Sequence, residues 1–112
     1  MISLINYHIM KKRIDKIILP TFKDDKKERW AILFEGRVKR VAFRNEAVLI
    51  AKKLSLVGYV KNVKEGVYLE VEGELDKLNY FLKHILTTKR FRIMIHKMDI
   101  LELKKEKDFV KK

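Results

Sequence analysis

Four basic side chains, Arg37, Lys39, Arg40 and Arg44, fall within eight residues with no acid among them, in the stretch GRVKRVAFR at residues 36–44. A second stretch, GYVKNVKEG at residues 58–66, sets one amide, Asn62, among apolar and basic neighbours. The chemistry these residue types offer is recognition of a phosphoryl group. A planar guanidinium can hold two phosphate oxygens at once. A tight turn that opens into a helix presents unpaired backbone N–H groups at the positive end of that helix, a natural seat for an anion. An amide offers a donor and an acceptor, which suits holding a neutral water in line with a phosphorus atom.

Such groups act together only if secondary structure brings them to one place. Residues 30–38, WAILFEGRV, read as a strand that ends in the basic turn. Ala47, Ile50, Ala51 and Leu54 then follow helical spacing, with Asn45 as the expected N-cap. Residues 56–63 read as a second strand, Lys64-Glu65-Gly66 as a hairpin turn, and Val67, Leu69 and Val71 as the buried face of a third strand. Leu78, Phe81, Leu82 and Ile85 form the stripe of a second helix, with Glu74 and Asp76 in its first turn. Residues 91–103 read as a long fourth strand and residues 108–110 as a short fifth. Before all of these, Ile2, Ile5, Ile9, Met10, Ile14, Ile17 and Ile18 predict an amphipathic helix over residues 2–18, stopped by Pro20. The charged run at residues 23–28 reads as a linker.

From residue 30 the order is β-α-β-β-α-β. The expected fold is α+β, a ferredoxin-like sandwich with a mainly antiparallel sheet of four to five strands and two helices on one face. Residues 1–28 are expected to be a helical extension and residues 29–112 the domain proper. Arg44 then sits at the mouth of the first domain helix and Asn62 on the next strand. The two can meet at one edge of the sheet although 18 positions separate them.

Composition sets the outer bounds. A chain of 112 residues, 47% hydrophobic with four glycines and one proline, has material for a single core. The absence of cysteine removes disulfides, thiolate metal sites and cysteine nucleophiles. No apolar run approaches the about 20 residues needed to cross a bilayer. The N-terminus has no basic region before its apolar stretch, so the expectation is a cytoplasmic protein without a membrane partner. A formal charge of +12 calls for an anionic partner, whether nucleic acid, an anionic surface or a phosphorylated small molecule, or else marks a lysine-rich solvated surface.

In order and spacing, the two stretches resemble the acylphosphatase family, whose first motif runs G-x-V-Q-G-V-x-F-R and whose second contains G-[aromatic]-V-[basic]-N-x-x-x-G. The resemblance covers roughly residues 29–112. It implies hydrolysis of acyl phosphates, with inorganic phosphate as product and inhibitor and with no metal or other cofactor. By position, Arg44 would clamp the phosphate and Asn62 would orient the attacking water. The phosphate-binding loop would comprise Lys39, Arg40, Val41, Ala42 and Phe43, acting through their backbone. Lys39 stands where the family usually has glutamine and Arg40 where it usually has glycine. If that second position needs a positive φ, Arg40 would cost about 1–2 kcal/mol or reshape the loop.

Each residue also has a plainer reading. Arg44 could be an exposed arginine, Asn62 could pin a turn, and Lys39 and Arg40 could be solvated bases. His8, His84 and His96 lack ligand spacing and are expected at or near the surface. Glu70 and Glu72 share one strand face, which is expected to be solvated. The alternative function is a non-catalytic anion- or nucleic-acid-binding module on the same fold. Nucleic acid is the less favoured partner, because the third strand lacks the glycine–aromatic signature of RNA-recognition sheets.

Overall fold

Strict alternation in residues 66–74 sends Val67, Leu69 and Val71 to one side of a strand, and all three are buried. That strand is central in a five-stranded sheet. In the computed structural model, which describes residues 4–23, 26–37, 40–88 and 91–112, the chain runs α1 (Leu4–Asp15), β1 (Lys27–Arg37), α2 (Arg40–Lys53), β2 (Val57–Val63), β3 (Gly66–Glu74), α3 (Leu75–Thr87), β4 (Arg92–Leu101) and β5 (Phe109–Lys111). The sheet order is β4-β1-β3-β2-β5. Neighbours are antiparallel except β5, which lies parallel to β2. This is the expected ferredoxin-like α+β fold.

One face of the sheet carries Ile32, Phe34, Val60, Leu69 and Val71, each fully or almost fully buried. Phe43, Ala47, Ile50, Ala51 and Leu54 of the α2 segment, together with Leu78, Phe81 and Ile85 of α3, belong to the same core. Burial of each large side chain contributes about 1.5–3 kcal/mol. Met10 and Ile14 of α1 join this core too, and α1 packs against α2. The extension therefore shares the domain's interior.

Several boundaries differ from the sequence reading. α1 ends at Asp15, five positions before Pro20, and Ile18 beyond it is almost fully exposed. Residues 2 and 3 lie outside the described residues. β1 begins at Lys27, inside the charged run read as a linker. α2 begins at Arg40, so Asn45 is no N-cap. It is a buried residue of the second turn, and its Oδ1 accepts a hydrogen bond from Lys111 Nζ at 2.9 Å.

The largest correction concerns the other face of the sheet. Glu70 and Glu72 are both only 5% exposed, because Arg29 of β1, itself fully buried, lies between them. Arg29 Nε donates to Glu70 at 2.8 Å and Nη1 to Glu72 at 3.1 Å. Tyr59 and Tyr68 donate to the second Glu70 oxygen at 2.8 and 2.7 Å. The backbone N–H groups of Lys104 and Lys105 close over Glu72. Burial alone would raise the Glu70 carboxyl, but the hydrogen bonds from Tyr68, Arg29 and Tyr59 outweigh it and hold the group at about 2. Burial would likewise raise Glu72, and its backbone and Arg29 contacts lower it.

Candidate active site

β1 and β2 enter the site region through close backbone contacts that leave no room for a side chain. Gly36 has φ +139°, and a Cβ there would lie 2.1 Å from the carbonyl oxygen of Arg92. Gly58 has φ +134°, and a Cβ would lie 2.0 Å from the Glu70 carbonyl oxygen. Both positions therefore require glycine.

After β1 the chain enters α2 at Arg40. No acidic residue occupies its first turn. By helix geometry the N–H groups of Arg40, Val41 and Ala42 have no acceptor within the described part of the helix. Arg40 has helical backbone geometry and is not among the positive-φ residues, so the expected strain at this position does not arise. Lys39 lies outside the described residues. Phe43 is fully buried and meets Phe34 and Phe91 edge to face at 5.4 and 5.2 Å. This packing fixes the turn whose N–H groups are free, while the Phe43 side chain itself serves the core.

Two arginines project from this end of α2. Arg40 Nη1 donates to the Val63 carbonyl oxygen at 3.0 Å, and Arg44 Nη1 donates to the main-chain oxygen of Lys112 at 3.3 Å. Val63 directly follows Asn62. Lys112 runs beside β2, where its N–H donates to Val60 at 2.8 Å, two positions before Asn62. Arg40 thus reaches the residue that follows Asn62, and Arg44 the segment that pairs with Val60. Asn62 pairs through its backbone with Val67 and leaves its side chain exposed. No hydrogen bond joins Arg44 and Asn62 among the described residues. Arg44 Nε is buried and has no acceptor. With Nη1 engaged by Lys112, the fork formed by Nε and Nη2 is the edge left for a bidentate acceptor.

The electrostatics favour an anion. Cations at a helix N-terminus oppose its dipole, so Arg40 and Arg44 carry an unfavourable term that a phosphate would reverse. A cavity of about 10 Å³, lined by Arg40, Phe43, Gly36 and Gly66 among others, is too small to enclose more than a water-sized group.

Sequence reasoning missed a buried ionic cluster one turn along α2. Glu46 is fully buried and accepts from Arg13 of α1 and from His84 of α3, the latter at 2.6 Å. Burial would raise its carboxyl, and the His84 and Arg13 contacts overturn that and lower it. The signal was present: Glu46 lies at i+3 from Phe43 and i−4 from Ile50, on the apolar face of the helix. His84 is half-buried, within the expected range, and exposed His96 faces Glu35 at 3.2 Å.

Among known proteins, the family model described as Acylphosphatase matches residues 30–112. The chain belongs to the acylphosphatase family. It is 48% identical over 52 residues to an acylphosphatase of Synechococcus sp. (strain CC9311), covering 46% of this chain and 57% of that one. It is 36% identical over 78 residues to the probable carbamoyltransferase HypF of Methanocaldococcus jannaschii, covering 70% of this chain and 10% of that much longer one. The crystal structure of acylphosphatase from Bacillus subtilis superposes with a TM-score of 0.59 at 25% identity, over 75% of this chain and 94% of that one. Among the described residues, no helix is long and apolar enough to cross a membrane.

Proposed function

We propose that this acylphosphatase-family chain hydrolyses the carboxyl–phosphate anhydride of acyl phosphates. Water attacks phosphorus, the bond from phosphorus to the acyl oxygen breaks, and carboxylate and inorganic phosphate leave. The proton lost by the water passes to the phosphate oxygens, so no metal or side-chain base is required. Arg44 clamps the phosphoryl oxygens through its Nε and Nη2 edge. The first-turn N–H groups of α2 surround the same oxygens, and Asn62 holds the water in line.

The observation that carries this reading is the unpaired, buried Nε of Arg44 beside a helix N-terminus without an acid. An unsatisfied buried donor costs about 1–3 kcal/mol, and more when charged, which a bound phosphoryl group would recover.

The test is hydrolysis of benzoyl phosphate by the purified protein with and without chelator. The expected result is chelator-insensitive turnover, inhibited competitively by inorganic phosphate. Phosphate binding without turnover above buffer would instead establish a non-catalytic anion-binding module.

A further inference from the structure

Lys112 touches the rest of the molecule in three ways. Its N–H donates to Val60, its main-chain oxygen accepts from Arg44, and its ammonium lies 3.9 Å from the centroid of the Tyr59 ring. That last distance is well inside cation–π range. The Tyr59 ring is itself fixed. Its hydroxyl donates to Glu70, which the buried Arg29 holds, and its ring lies against Tyr68 at 6.1 Å. β5 pairs with β2 over only three residues, and the end of so short a strand frays unless something pins it.

We propose that Tyr59 and Lys112 are positioning residues for Arg44, the ring seating the lysine so that its main-chain oxygen holds the guanidinium in a single orientation. With Nη1 fixed in this way, the Nε and Nη2 edge stays turned toward the phosphoryl group. The proposal rests on the reading of Arg44 as the phosphate clamp. It assigns a function to the far face of the sheet, where the Arg29–Glu70–Tyr59 chain extends from the buried network to the edge of the site. Lys61 is the other cation facing this ring, at 5.9 Å, and Glu70 is its acidic neighbour.

The experiment compares Tyr59→Leu, Tyr59→Phe and Lys112→Met with the unaltered chain. Two readouts are used: the Arg44 Nε–H signal in ¹H–¹⁵N spectra, assigned by its loss in Arg44→Lys, and kcat/KM for benzoyl phosphate. The Arg44 signal should be sharp in the unaltered protein and in Tyr59→Phe, which keeps the ring. It should broaden in Tyr59→Leu and in Lys112→Met, with kcat/KM falling about tenfold in each. The Tyr59→Leu/Lys112→Met double variant should lose no more than either single one, because both break the same link. A sharp Arg44 signal in Lys112→Met, or additive losses, would overturn the proposal. Lys112→Met alters only an exposed side chain, so it decides the matter even if Tyr59→Leu fails to fold. If the unaltered protein has no turnover, the hydrolase reading falls, and the Arg44 signal still decides whether Tyr59 and Lys112 order the guanidinium.

Discussion

Arg44 on α2 and Lys112 after β5, 68 positions apart in sequence, are joined by a hydrogen bond of 3.3 Å from the guanidinium to the main-chain oxygen. This contact ties the start of α2 to the edge of the sheet beside β2. It uses one nitrogen of the arginine and leaves the edge bearing the buried, unpaired Nε for another acceptor. A side chain anchored on one edge and free on the other can bind an anion with little loss of rotamer freedom.

Asn62 should act on the water and not on the phosphate. Replacing it with alanine is expected to lower kcat by about 10²-fold while the inhibition constant for inorganic phosphate changes less than threefold. Steady-state kinetics with phosphate as inhibitor separates the two effects. A rise in the inhibition constant as large as the fall in kcat would assign Asn62 to phosphate binding.

Arg40→Gly should not raise turnover. Arg40 is helical, so glycine relieves no strain, and the substitution removes the tie to Val63 at 3.0 Å. The expected outcome is unchanged or reduced kcat and a loss of up to about 1 kcal/mol in thermal stability. A clear rise in kcat would show that the arginine side chain obstructs the site.

How much of this was legible beforehand depends on how local each signal is. Alternation at Val67, Leu69 and Val71 and helical spacing at Leu78, Phe81 and Ile85 are short-range patterns, and they gave both elements correctly. Glu70 and Glu72 share a strand face that looks solvated when read alone. Their burial depends on Arg29, more than forty residues earlier, and on the backbone of Lys104 and Lys105, more than thirty residues later. The start of α2 is misread because Asn45 has the chemistry of a cap, whereas the helix already includes Arg40, and residues 36–40 hold no serine, threonine, aspartate or asparagine to mark a start. Arg44 and Asn62 were readable as candidates from type and spacing. The part played by Lys112 was not, because it depends on how β5 pairs with β2.

Acid stability should depend on Glu70. Its carboxyl lies at about 2 in the folded protein against an ordinary 4.5, so between those values the unfolded chain binds the extra proton and folding stability rises with pH. Stability should therefore fall as pH drops from about 4.5 toward 2, and Glu70→Gln should flatten that part of the curve. Urea unfolding followed by Trp30 fluorescence at stepped pH is the measurement. An unchanged slope in Glu70→Gln would place the acid sensitivity elsewhere.

Arg13 links the extension to the domain through Glu46. Arg13→Ala leaves a fully buried carboxylate with His84 as its remaining hydrogen-bond partner, and should cost about 1.5–3 kcal/mol, the worth of a hydrogen bond to a charged group. Thermal unfolding gives the value directly. A change within about 0.5 kcal/mol would show that the Arg13–Glu46 contact adds little to the packing of Met10 and Ile14 and the Lys53–Asp15 contact.

The central claim is that Arg44 stabilises a phosphoryl group in transit, and kcat/KM for benzoyl phosphate in Arg44→Ala tests it most directly. The account predicts a loss of about 10²–10³-fold in a variant that stays folded, against a change within twofold for the exposed Lys83→Ala. Equal and small losses in the two variants would contradict it.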